Sequence, residues 1–102
     1  VIVEHAELAV AAGREAEFAS AFDEAAKVIA QADGFRWVRL LRCVERPGAH
    51  LLLVGWESVE AHTEGFRGSE LFARWRALVG PFFAAAPVVE HYTPLGAAVP
   101  SL

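Results

Sequence analysis

Residues 35–58 read FRWVRLLRCVERPGAHLLLVGWES, and the two halves of this stretch decide the fold. The segments on either side of Pro47-Gly48 are both rich in Val, Leu and aromatic residues. That composition suits extended backbone, and Pro-Gly suits the two central positions of a type II turn, with Gly taking the positive φ. A β-hairpin is therefore expected. Both strands are apolar at almost every position, the pattern of strands covered on two faces rather than one. A layer of helices can cover one face, so the other needs a second layer.

Outward from the hairpin, the period of the apolar residues changes. Upstream, VIVEHAELAV (1–10) alternates as a strand does, and Gly13 marks the turn after it. From Arg14 onward, Phe18, Phe22, Ala25, Ile29 and Ala32 recur at steps of four and three, an amphipathic helix that Gly34 ends. Downstream, Ser58 is placed to cap a short helix with Glu60 in its first turn, and Gly65 and Gly68 break it. Ser69 is expected to cap a second helix whose Leu71, Phe72, Trp75, Leu78 and Val79 share a face, with Gly80-Pro81 as its stop. PVVEHYT (87–93) is the last strand, and PLGAAVPSL (94–102) is a tail that frays or lies on a neighbour.

The order β-α-β-β-α-β is that of the split βαβ, ferredoxin-like α+β fold, a four-stranded antiparallel sheet with helices on one face. Residues 1–94 are expected to form this domain and 95–102 the tail. The doubly apolar hairpin then calls for a second copy packed on the open sheet face, giving a homodimer with the architecture of a dimeric α+β barrel.

The composition of the 102-residue chain fits that reading, with 55% hydrophobic residues, an excess that a subunit interface would absorb. A net charge of −4 argues against nucleic acid as the main partner. Arg36, Arg39 and Arg42 recur by threes and fall on both faces of a strand. No apolar run is long enough to cross a bilayer, and no basic-then-apolar leader is visible, so no membrane partner is expected and the cytoplasm is the expected location. Cys43 is alone, which leaves no internal disulfide and no thiolate zinc site, and reads as a small hydrophobe on a strand.

GF at 34–35, WESVEAH at 56–62, FRGSELF at 66–72 and PVVEHY at 87–92 resemble the antibiotic biosynthesis monooxygenase family, in the family's order of elements from about Val1 to Pro94. The resemblance implies the same fold and dimer, and two chemistries. One is oxidation of phenols or anthrones to quinones by O2 without metal or flavin. The other is haem binding with cleavage of the porphyrin.

For haem cleavage the resemblance implies an Asn on the first strand, a Trp in the helical region and an iron-ligating His on the last helix. Those places hold Ala6, Gly65-Phe66 and Arg76. Arginine stays protonated and cannot ligate iron, so this route is not expected. For phenol oxidation, Trp56 stands where the family carries a pocket Trp, and His62 where some members carry a pocket Tyr; Leu52 stands where an Asn accompanies them.

Cofactor-free oxygenation requires a base near working pH, a dry cavity and flat apolar walls. His62 is the candidate base, abstracting or relaying the substrate proton, since imidazole titrates near neutrality. Trp56, Phe35, Phe66 and Trp75 are the candidate aromatic walls, and Arg76 could anchor an anionic group. Plainer readings stand beside these: Trp75 and Trp56 as core, His62 as a solvated histidine between Glu60 and Glu64, Arg76 as a solvated arginine, and His50 as exposed. His5 and His91, with Glu4 and Glu90 alongside, lie on strands expected to be antiparallel neighbours. A structural His-Glu pair accounts for them, since no HExxH or His-x-His spacing marks a metal site.

The expected function is a cofactor-independent monooxygenase acting with O2 on an aromatic, phenolic small molecule of anthrone or quinol type, with no metal. The alternatives are a non-redox aromatic-binding protein or cyclase, and a haem-binding member without the family's triad.

Overall fold

A computed structural model describes residues 1–96, and the expectation for the tail beyond Gly96 lies outside the described residues. The elements are β1 (Ile2–Ala9), α1 (Glu15–Ile29), β2 (Phe35–Arg42), β3 (Ala49–Trp56), a π-helical segment (Ala61–Phe66), α2 (Glu70–Val79), a 3-10 turn (Gly80–Phe82) and β4 (Val88–Tyr92). They build one antiparallel sheet in the order β2-β3-β1-β4, with α1 and α2 on one face, the ferredoxin-like arrangement.

The hairpin forms as read. Ala49 N–H donates to the Arg46 carbonyl at 3.2 Å, and Gly48 takes φ +87°. A bulge between Phe35 and Trp37 shifts the register of β2, and Arg36 there pairs with Glu57 at 3.2 Å. Cys43 follows the end of β2, half-buried and free.

Alternation then sorts the strands by face. Glu4, Ala6 and Leu8 on β1 stand opposite Val54, Leu52 and His50 on β3, and all six are buried. They meet Phe18, Phe22, Ala25 and Ile29 of α1 and Trp75 and Val79 of α2 in one core. The helical stripe of α1 is the one its spacing indicates. His50 departs from expectation: it shares the phase of Leu52 and Val54, so β3 turns it inward. Its Nδ1 lies 3.0 Å from the Gly48 carbonyl, and its ring sits edge-on to Phe18.

The opposite face carries the other phase, including Leu51 and Leu53 on β3, Leu41 on β2, and Val88 and Tyr92 on β4. Leu41, Val88 and Tyr92 are about half exposed (44%, 54% and 52%) in the single chain. This is the face that the sequence assigned to a second copy.

Two features set the segment after β3. Ser58 Oγ accepts the Ala61 N–H at 3.1 Å, so the serine caps as expected. Gly34, at φ +83°, ends the turn after α1 beside Ala61, and a Cβ on it would lie 2.7 Å from the Ala61 Cβ. Only glycine lets the turn and the helical segment approach so closely.

The expected break at Gly65 does not occur. The helix runs through Gly65 as a π-helix, in which Arg67 N–H reaches back five residues to the His62 carbonyl at 3.0 Å. The break falls at Gly68, where a Cβ would meet the Glu64 carbonyl oxygen at 2.6 Å. Ser69 has the extended backbone of an N-cap, yet its hydroxyl donates to the Phe66 carbonyl at 2.7 Å instead of capping α2. The same carbonyl accepts the Ser69 N–H at 3.0 Å, so the turn at Gly68 brings both donors of Ser69 onto one oxygen.

Candidate functional site

A cavity of about 600 Å³ opens between the sheet and α2. Ala6 and Leu52 of the sheet and Ile29 of α1 line its floor, and Phe66, Trp75 and the 83–87 segment form apolar walls. Glu4 and His62 are its buried polar groups, and Arg67 and Arg76 stand at its exposed rim.

His62, Phe66 and Trp75 are thus brought together on one wall, as expected of pocket residues. Trp75 is at once core and wall, since its ring also packs edge-on to Phe22. Arg76 reaches the rim with its guanidinium 5.8 Å from the Phe72 ring centre. Trp56 and Phe35 are not on the wall. Trp56 is fully buried one layer behind His62, and Phe35 packs edge-on against Trp56, because β3 and the start of β2 run beneath the helical segment there.

His62 is not a solvated histidine. It is 3% exposed, turned inward by the same helical face as Phe66 four residues on. Its Nε2 lies 3.3 Å from Glu4 Oε1, and its Nδ1 lies 2.8 Å from His91 Nε2. Glu4 Oε1 also accepts the Trp56 indole N–H at 3.0 Å. Among the described residues Glu4 Oε2 has no hydrogen-bond partner, on a side chain that lines the cavity.

Glu4, His91 and Arg67 are the polar residues that the sequence reading left out of the site. The strand pairing was right: Glu4 stands opposite His91 and His5 opposite Glu90. Alternation separates the two pairs. His5 turns to the open face and packs edge-on to Tyr92, whereas Glu4 and His91 turn toward His62. A signal for Glu4 existed, since it shares the phase of Ala6, Leu8 and Val10, a carboxylate in an apolar row.

Burial governs the protonation of this cluster. It raises the pKa of Glu4, opposed by the Trp56 hydrogen bond and by the Arg67 charge. It lowers His62 to about 4, with the positive charge of Arg67 and the neighbouring His91 acting in the same direction. His91 is lowered too, by burial first and then by Arg67. At neutral pH His62 is therefore uncharged, and its 3.3 Å approach to Glu4 is not an ion pair.

A neutral imidazole has one N–H and one bare nitrogen, so two proton arrangements satisfy the chain of contacts. In one, His62 Nδ1 accepts from His91 and Nε2–H faces the Glu4 carboxyl group at 3.3 Å. In the other, His62 Nδ1–H donates to His91 Nε2 and the bare Nε2 faces Glu4. Among the described residues no group of three or more His, Cys, Asp or Glu is placed to hold a metal ion.

The chain is 42% identical over 92 residues to the uncharacterised protein YczJ of Bacillus subtilis (strain 168), a match covering 90% of this chain and 97% of that one. Its fold is similar to that of a candidate antibiotic biosynthesis monooxygenase from Bordetella bronchiseptica, with a TM-score of 0.90, 39% identity and coverage of 92% and 96% of the two chains. SnoaB, a cofactor-independent oxygenase from Streptomyces nogalater, shares the fold at 18% identity and a TM-score of 0.77, over 94% of each chain. With the antibiotic biosynthesis monooxygenase family model matching residues 1–78, about three quarters of its length, the chain belongs to that family.

Proposed function

We propose that this protein is a cofactor-independent monooxygenase that oxidises an aromatic, phenolic or anthrone-like small molecule with O2. The observation that carries this reading is Glu4, a buried carboxyl group on the cavity wall with one oxygen unused and a raised pKa. A carboxylate in an apolar cavity is a stronger base than one in water. His62, the base expected from the sequence, has Nδ1 bonded to His91 and Nε2 3.3 Å from Glu4, which suits it to relaying the proton.

In this reading Phe66 and Trp75 hold the flat rings, and Arg76 and Arg67 place positive charge at the mouth, where it favours an anion. Glu4 removes a proton from the substrate to leave a carbanion or phenolate. The anion passes one electron to O2, and the resulting radical and superoxide combine as a peroxide. Loss of water leaves a carbonyl, so that a CH2 group and O2 give C=O and H2O. The oxidant is O2 itself, and the electrons come from the substrate. Family membership and the fold shared with SnoaB, a cofactor-independent oxygenase, support the same chemistry.

The proposal includes a homodimer formed through the open sheet face, whose half-exposed Leu41, Val88 and Tyr92 a second copy would cover. It includes a cytoplasmic location; among the described residues no helix is long and apolar enough to cross a membrane. The test is oxygen uptake by metal-stripped, flavin-free protein given a panel of anthrones and hydroquinones. Uptake above the uncatalysed rate that is lost in Glu4→Gln supports the proposal, and uptake equal to background across the panel counts against it.

A further inference from the structure

We propose that Glu4, His62 and His91 form a proton path that leads from the cavity wall to the edge of the sheet, with His91 as its outer end. The inference rests on the reading of Glu4 as the base, and concerns how that base is regenerated. Glu4 lines the cavity and is 5% exposed, so a bound ring system leaves it little access to water. His91 is half-buried on the edge strand β4 and lies off the cavity wall. His62 Nδ1 is hydrogen-bonded to His91 Nε2 at 2.8 Å, and the other nitrogen of the same imidazole, Nε2, stands 3.3 Å from Glu4 Oε1, within reach of a carboxyl proton that turns toward it. That connection lets a proton enter at one nitrogen as another leaves from the second.

The outward step balances. It runs with His62 as its Nδ1–H tautomer, Nδ1–H donating to His91 Nε2 and Nε2 bare: Glu4, neutral after taking the substrate proton on its free oxygen, turns its carboxyl group and passes that proton to His62 Nε2. The Nδ1 proton of His62 passes to His91 Nε2. Glu4 is a carboxylate again, His62 is neutral throughout, and the imidazolium of His91 gives a proton to water. The charged groups facing His62 and His91 are Glu4 on β1 and Arg67 at the end of the π-helical segment. Arg67 disfavours an imidazolium at either ring, so a proton does not linger on the path.

Two readouts test the path in the whole protein. In 15N-histidine-labelled protein, the ring nitrogens of His62 are expected to shift as His91 titrates and to lose that response in His91→Gln. His62 signals that ignore the titration of His91 overturn the path. This readout does not need turnover: if no anthrone is oxidised at all, the proposed function falls and the nitrogen spectra still decide the path.

Where turnover is present, His91→Ala and His91→Gln are expected to lower kcat about ten-fold or more with KM changed less than about two-fold. Imidazole in the buffer should restore part of the kcat of His91→Ala, and the more basic 4-methylimidazole should restore more. Wild-type kcat in both variants, or a loss that neither base restores, overturns the path. The glutamine variant keeps an amide donor for His62 and guards against a loss caused only by misfolding.

Discussion

The indole of Trp56 and the imidazole of His62 lie face to face, with ring planes 17° apart and centres 5.4 Å apart, and both donate toward or contact the same oxygen of Glu4. One aromatic residue thus positions both His62 and Glu4. The stack fixes the plane of His62, and the indole N–H fixes the carboxyl group.

Trp56→Phe keeps an aromatic face for His62 and removes the N–H. The hydrogen bond favours the charged form of Glu4, so its loss raises the Glu4 pKa further. The acidic limb of the rate profile should move to higher pH, as oxygen uptake measured across pH will show. Urea unfolding should show a loss of about 1.5–3 kcal/mol, the usual range for a hydrogen bond to a charged group.

Glu4→Gln retains the shape and an acceptor for Trp56 but no longer takes a proton. Oxygen uptake should fall about a hundred-fold or more, the usual share of general base catalysis. Circular dichroism should show the fold unchanged, since a neutral amide is easier to bury than a carboxylate.

His62 sets a pH dependence of stability. Its folded pKa of about 4 lies below the ordinary 6.5, so between these values the unfolded chain binds more protons. The contribution is present above pH 6.5 and is lost as pH falls toward 4, by at most about 3 kcal/mol. The raised pKa of Glu4 acts oppositely, with a contribution lost as pH rises above its ordinary 4.5. Comparing wild type with His62→Phe by chemical denaturation at pH 7 and pH 4.5 isolates the histidine. The wild type should lose more stability than the variant over that interval.

Gly34→Ala meets two penalties, a positive φ and a Cβ 2.7 Å from that of Ala61. A cost of about 2–4 kcal/mol is expected. Because Ala61 precedes His62, the displaced segment should also lower oxygen uptake, measured beside the unfolding curve.

Leu53 stands near the middle of the open face, paired with His5 and Arg39. Leu53→Lys places a charge where a second copy is proposed to pack. Analytical ultracentrifugation should show a dimer for the wild type and a monomer for the variant.

Much of this molecule was legible from local pattern. The α1 stripe of Phe18, Phe22, Ala25 and Ile29, the Pro47-Gly48 turn and the Ser58 cap each depend on residues within a few positions of one another, so spacing alone reveals them. The alternation of β3 is equally plain, yet His50, expected to be exposed, follows its phase with Leu52 and Val54 and is turned inward. Ser69 shows the same limit, since a cap position does not determine which partner the hydroxyl takes.

The strands, the helices, their order and the aromatic character of the helical layer follow from local pattern, because backbone propensity and hydrophobic period are properties of neighbouring residues. The polar centre follows from long-range packing instead. Glu4 meets Trp56 across 52 residues, and His62 meets His91 across 29. These contacts arise where β1 pairs with both β3 and β4 and a π-helical turn lays His62 over them. Neither residue's neighbours in sequence announce the meeting, and burial there, rather than residue type, is what raises the pKa of the glutamate and keeps the histidine uncharged.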